Sequence, residues 1–240
     1  MNKYSPINFD ELYIPKKDKL QQFLNKQFDD NNLNIAIIGN HNTCKTFVCS
    51  IIIEKFISNS KESNRNKIFF TFNSYDDINL QQTPNLLSIF CKNNVNENKL
   101  IYIENFDDLT EQNQQQLKIY MEKYSSQKEK NKVFFLIKST DEYKLKDIIR
   151  SRVNLYLLEN LTRIEHSQIL NKLCETNKLN LTEEAYEKIL NIKNIDLDYL
   201  HSTIGKLYIM YDEKDYISED TIKQITTIID DKIFEDYILH

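Results

Sequence analysis

From residue 33 onward the chain alternates short apolar runs with stretches in which apolar side chains recur every three or four positions. The runs 33–38, 68–72, 99–103, 133–137 and 153–158 are of strand length. Runs of this kind suit strands of a parallel sheet buried on both faces. Between them the spacing turns helical. Leu20, Phe23, Leu24 and Phe28 predict a lead-in helix, 47–56 a helix directly after the first strand, and 86–91 a short helix beyond Pro84. Another helix should open near Thr110, and a short one spans 146–150, while the charged run 61–67 reads as a solvated turn. The expected fold class is therefore α/β, with a five-stranded parallel sheet over residues 1–158.

Beyond 158 the strand signal stops. Helical patterns cover 164–177, 182–192 and 197–211, the second opening on Thr182 as a cap, and a further cap at Ser218 starts 218–228. The expected organisation is a base domain over 1–158, a small three-helix domain over 161–228 and a short tail over 229–240.

Composition narrows the class. A length of 240 residues with 40% hydrophobic content is enough for a substantial core. The net charge of -5 denies the chain a general electrostatic grip on nucleic acid, so any such contact must come from a local patch or from partners. Cys44, Cys49, Cys91 and Cys174 form no paired spacing, which argues against zinc and against a disulfide framework. No apolar run reaches 18 residues and no signal pattern opens the chain, so an intracellular protein without membrane contact is expected.

Candidate chemistry concentrates where the first strand meets the first long helix, in the string GNHNTCKT. Gly39, Lys45 and Thr46 occupy the fixed places of the phosphate-loop pattern G-x-x-x-x-G-K-[ST]. In that pattern backbone N–H groups and a helix N-terminus cradle phosphate, the lysine reaches the outer phosphates and the hydroxyl holds Mg2+. Cys44 stands where the second glycine belongs. The nucleotide-binding set is Gly39, Asn40, Asn42, Thr43, Cys44, Lys45, Thr46 and Phe47; the bland alternative is a strand-turn-helix with a chance Lys-Thr. Glu104, Asn105, Asp107 and Asp108 follow the third strand, where ligands of open α/β sheets are met. They also suit an acidic helix N-terminus capped by Thr110. Lys138 reads as a strand-end charge.

Several strings together resemble the clamp-loader subunits of the replication factor C small-subunit and bacterial DnaX type, within the AAA+ superfamily. Lys3-Tyr4-Ser5-Pro6 with Phe9-Asp10-Glu11-Leu12 resembles the family's K-Y-R-P…D-E-L opening. The segment 101–110 resembles its hydrophobic-D-E-A-D-x-M-T motif. Ser139-Thr140-Asp141 resembles the first sensor, and Ile149-Arg150-Ser151-Arg152 the S-R-C motif. The resemblance implies an AAA+ base, a helical lid and a collar that closes a five-membered ring; too little chain follows residue 228 for a full collar, so it would be absent or vestigial.

By this resemblance Thr46 and Glu104 would hold the metal, Thr140 would sense the nucleotide, and Arg152 would act in trans as an arginine finger on a neighbouring subunit. The cofactor would be ATP or ADP with Mg2+, weakly held or absent. Three positions depart from the family. Asn105 falls on the catalytic glutamate and cannot accept a proton, Asp198 falls on the second sensor's arginine, and Ser5 on the opening arginine. The expected function is a nucleotide-binding, hydrolysis-poor subunit of a clamp-loader-like complex. Its partners would be other loader subunits, a sliding clamp and primed DNA, in the nucleus if the source is eukaryotic. The alternatives are a slow but active ATPase and an AAA+-derived scaffold in another assembly. Arg152 could equally cap its short helix.

Overall fold

A computed structural model of the chain describes residues 14–41, 43–61, 64–72, 84–93, 95–125, 131–192, 197–211 and 215–225. The expectations for the opening motif, Ser5, Asn42, the tail 229–240 and any collar lie outside the described residues. The chain divides into two compact units, one ending at Asn160 and the other beginning at Leu161.

In the first unit the helix α1 (Lys17–Asp29) leads into strand β1 (Ile35–Gly39) and helix α2 (Lys45–Ser58). The single-turn helix α3 (Arg65–Ile68) and strand β2 (Phe69–Phe72) follow, then helix α4 (Pro84–Lys92) and strand β3 (Lys99–Ile103). Helix α5 (Glu111–Tyr124), strand β4 (Val133–Ser139), the short helix α6 (Asp147–Arg150) and strand β5 (Asn154–Leu158) complete it. The five strands pair in parallel in the order β2-β3-β4-β1-β5, so β1 lies between β4 and β5.

Alternation along the strands divides the core between the two faces of the sheet. Ile35, Ile37, Leu100, Tyr102, Phe134 and Leu136 pack with Leu20, Leu24, Val48 and Ile52 of α1 and α2. Ala36, Ile38, Ile101, Ile103, Phe135 and Ile137 pack with Leu87, Leu117, Met121 and Ile149 of α4, α5 and α6. The result is a three-layer sandwich whose strands are apolar on both sides, as the unbroken runs require. All strand C-termini point one way, toward the turn after β1.

Buried polar groups tie the layers together. Asn34 accepts the Phe135 N–H through Oδ1 at 3.0 Å and the Asn154 N–H through its carbonyl at 2.8 Å, holding the start of β1 to both neighbours. Lys99, 3% exposed, donates to the carbonyls of Phe90 at 2.6 Å, Cys91 at 3.1 Å and Asn93, closing the end of α4. Burial lowers its pKa, yet three carbonyl partners are the compensation that a buried ammonium requires.

The second unit carries helices α7 (Arg163–Asn177), α8 (Glu183–Leu190), α9 (Leu197–Met210) and α10 (Glu219–Ile225). Two-residue strands β6 (Asn180–Leu181) and β7 (Tyr216–Ile217) pair in parallel between them. The expectation of no strand after 158 is thus corrected, because two residues are too few to leave a periodic signal. The charged run 61–67 is likewise corrected in its second half, where α3 forms. Thr182 caps α8 as expected, but the reciprocal capping box is Thr162 with Glu165 at the start of α7. The string Thr-Arg-Ile-Glu carries that signature openly.

No helix among the described residues is long and apolar enough to cross a membrane. Replacing Lys99 by Met should leave the carbonyls of Phe90, Cys91 and Asn93 unanswered and lower unfolding stability by about 1–3 kcal/mol in chemical denaturation, while neutral replacement of the exposed Lys92 should change little.

Candidate phosphate-loop site

Strand β1 ends at Gly39 in the middle of the sheet, and the chain must turn at once to start α2. A Cβ on Gly39 would lie 2.7 Å from Thr43 Oγ1 and 2.8 Å from the Leu158 carbonyl oxygen. These approaches exclude any side chain, so the first glycine of the motif is required by close packing against β5. The turn is closed by Thr43, whose hydroxyl donates to the Asn40 carbonyl at 2.9 Å, and by Asn40, whose amide donates to Asn160 Oδ1 at 3.3 Å.

The second glycine position tells a different story. Cys44 adopts φ 60°, ψ 17°, the left-handed conformation in which glycine is free and other L-residues are strained. The loop therefore has the backbone course that a glycine would favour, imposed on a cysteine. Cys44 is the N-cap of α2, and its carbonyl accepts from the Val48 N–H at 3.0 Å. Phe47, partly buried, anchors the first turn of α2 to the core on that face.

Lys45 turns its ammonium inward, 7% exposed, onto the Gly39 carbonyl at 2.7 Å and the Asn40 carbonyl. Burial lowers its pKa and the nearby Lys138 lowers it further, against a smaller opposing pull from Asp107. A cation held below its ordinary pKa inside a turn at a helix N-terminus gains from an arriving anion. Beneath the loop, burial pushes the Cys49 thiol up to about 12, so it is a packing group and not a nucleophile.

Beyond β3 the chain makes a single 3-10 turn, Phe106–Asp108, before Thr110 caps α5 by accepting from the Asn113 N–H at 3.3 Å. The cap reading of this acidic segment is realised, and the carboxylates also have further partners. Glu104 pairs with Lys138 Nζ at 3.1 Å, and the same ammonium lies 3.4 Å from Thr46 Oγ1. Asp107 accepts from the Ser139 hydroxyl, and at 2.8 Å from both the N–H and the hydroxyl of Thr140. Glu104, Thr46, Asp107, Thr140 and Lys45 thus belong to one cluster at the C-terminal edge of β1, β3 and β4. Asn105 follows Glu104 in the turn between β3 and the 3-10 segment.

Arg152 stands apart from this cluster, just after α6. Its guanidinium donates to the Ile148 carbonyl at 2.5 Å and to Ser151 Oγ at 3.0 Å, and pairs with Glu122 of α5. It therefore does cap α6. The Glu122 pair is partly exposed, and such pairs contribute about 1 kcal/mol or less, so the guanidinium can exchange it for a stronger anion. Asp198 falls in α9 of the second unit.

Two contributors escaped the sequence reading. Lys138 is not a free strand-end charge but bridges two residues expected to hold a metal. Gln114, 2% exposed, donates to the carbonyls of Leu109 at 3.3 Å and Lys144 at 2.9 Å and accepts from the Lys146 N–H at 3.0 Å. It thereby ties α5 to the segment between β4 and α6. Its signal was present: Gln114 lies three and seven positions before Leu117 and Met121, on the buried stripe of α5.

Cavity shape alone would point elsewhere, since a depression of about 500 Å³ lies near Phe28, Phe56 and Glu97, at the opposite ends of the strands. The converging cations, helix N-terminus and glycine turn identify the phosphate-loop end instead.

The fold has solved counterparts. The RuvB Holliday junction branch migration motor of Thermotoga maritima superposes with a TM-score of 0.64 at 16% identity, covering 92% of this chain and 71% of that one. Two single-substitution variants of the same motor give TM-scores of 0.64 and 0.63 at 15% and 16% identity, covering 92% and 93% of this chain and 71% and 72% of theirs. No family model matches the sequence. At such identity the likeness speaks for the fold alone, an α/β unit built on a five-stranded parallel sheet.

Strain at Cys44 is open to direct measurement. Cys44→Val should destabilise the protein by about 1–2 kcal/mol, because a β-branched residue is least tolerated at positive φ. Cys44→Gly should leave stability equal or higher, and thermal unfolding of the two variants compares them.

Proposed function

We propose that this chain is a nucleotide-binding, hydrolysis-poor subunit of a clamp-loader-like AAA+ assembly that offers Arg152 to the nucleotide of a neighbouring subunit. The observation that carries the reading is an asymmetry within one site. Three features support a retained phosphate grip: Gly39 is fixed by close packing, α2 starts directly after the turn, and a buried Lys45 is held below its ordinary pKa by burial and by a second cation. The position for a base is not, because Asn105 offers a carboxamide that cannot take a proton from water. Binding without turnover is what such a site supports.

In this reading ATP or ADP sits against Gly39, Asn40, Asn42, Thr43, Cys44, Lys45, Thr46 and Phe47, and Thr140 lies at its far side, held by Asp107. The base is residues 1–158 and the lid residues 161–228. Arg152 suits work in trans because a guanidinium is permanently charged and planar, and its partly exposed pair with Glu122 is readily exchanged. The other loader subunits, a sliding clamp and primed DNA are the partners that follow from the sequence resemblance. Lys45, which donates to its own loop, favours a second reading in which the fold serves as a scaffold in another assembly.

Three measurements separate these. Purified protein should retain nucleotide by mass spectrometry and lose it on Lys45→Ala, while hydrolysing none alone. In the reconstituted assembly Arg152→Ala should leave composition unchanged and slow the neighbouring site roughly 1,000-fold or more, the lower end of the range for arginine fingers; an unchanged rate removes the finger. Co-purification without any loader subunit or clamp would favour the scaffold.

A further inference from the structure

The residues that would hold a divalent metal in this site are Thr46, at the start of α2, and Glu104, after β3. Among the described residues no group of three or more His, Cys, Asp or Glu side chains could hold a metal, so a metal here would depend on these two oxygens and on phosphate. Their donors are hard oxygens of the type Mg2+ takes. The space between them, however, is spanned by a cation the chain itself supplies. Lys138 Nζ lies 3.1 Å from Glu104 Oε1 and 3.4 Å from Thr46 Oγ1. The site therefore does not fit a dication in its present arrangement.

Lys138 is placed there by the sheet. It is the sixth residue of β4, the strand lying between β3 and β1, and it pairs in register with Ile37. Its side chain is 15% exposed, against 36% for Glu104, so the ammonium is the more enclosed member of the pair. An ammonium so enclosed is held by its carboxylate and hydroxyl partners, since leaving them would deprive Glu104 of the lysine it pairs with. A metal entering the same gap would meet Lys138 at contact range and Lys45 beyond it, and like charges repel most where water is excluded. The triphosphate, in contrast, would meet two ammonium groups and a helix N-terminus.

We propose that the Lys138 ammonium takes the place of the divalent metal, bridging Thr46 and Glu104 to the outer phosphates so that the nucleotide binds as a metal-free anion. This rests on the nucleotide-binding reading above and adds the identity of the bound species. It also gives the loss of hydrolysis a second cause: a lysine supplies one positive charge and no coordinated water, so it orients phosphate without marshalling a nucleophile. Lys138 is a binding residue in this scheme, and Glu104 is the group that positions it.

Calorimetric titration of the full-length protein with ATP, in EDTA and in excess Mg2+, tests the idea. Because excess Mg2+ captures the metal-free ATP that the site would take, the unaltered protein should bind ATP about tenfold or more weaker in Mg2+ than in EDTA, and Lys138→Met should weaken binding in EDTA by about tenfold or more while making binding tighten on adding Mg2+. Binding by the unaltered protein that is as tight or tighter in Mg2+ would overturn the metal replacement and leave nucleotide binding standing. So would a Lys138→Met protein that binds in EDTA as the unaltered one does. Absence of binding in both buffers would overturn the nucleotide reading along with it.

Discussion

Everything at the candidate site depends on how closely β1 is held between its neighbours. Pairing with β4 on one side and β5 on the other brings Gly39 opposite Leu158, and the Leu158 carbonyl occupies the space a Cβ would need. With no room for a side chain, the chain leaves the sheet as bare backbone and turns within five residues into α2. That tight turn brings the start of α2, the Lys45 ammonium and the Thr46 hydroxyl close together at the end of β1. A looser β1 would still give an α/β sandwich, but not a place where a helix N-terminus and two lysines meet.

The same closeness explains the strain at Cys44. The turn forces the residue before Lys45 into the left-handed region whatever its side chain, and the cost of about 1–2 kcal/mol for an L-residue there is small beside the burial of Val48, Ile52 and Phe56 that α2 gains by starting at this point. At about 1.5–3 kcal/mol for each fully buried aliphatic or aromatic side chain, packing prevails over the conformational preference of one residue. The loop thus keeps its course after losing the glycine that suits it. A motif can decay in sequence while its backbone geometry persists, because that geometry is held from the sheet and not from the loop.

Most of the fold was legible because its signal is long and periodic. Five apolar runs gave five parallel strands, and the run 99–103 matches β3 residue for residue, bounded by Asn98 and by the acidic turn. The site was legible where residue type alone carries the chemistry, as at Lys45, Thr46 and Glu104. It was not legible where meaning depends on what lies across the sheet. Lys138 looks like any charged residue near a strand end until β3 and α2 put Glu104 and Thr46 on either side of it. Gln114 was visible as a polar interruption of an apolar stripe, yet its three hydrogen bonds to segments 5 to 32 residues distant could not be read locally. The pair β6–β7 is set by two residues each and left no period at all.

On the reading proposed above, the cluster at the strand ends is one in which a site could lack turnover and keep its architecture. In a working phosphate site a metal must be held, a base must stand near it and the loop must grip the phosphates, and each part constrains the others. If Asn105 stands where a base would be needed, nothing requires the gap between Thr46 and Glu104 to stay open for a hydrated ion. A lysine from the middle of the sheet can then occupy it. Glu104 gains an internal counter-ion, and Thr46 a donor. The grip on phosphate has more to gain than to lose from a second positive charge, because Lys45 already suffers from burial and an anion relieves both lysines together. The selective value of such a site would lie in holding a nucleotide at a subunit boundary, where shape and charge matter and hydrolysis does not.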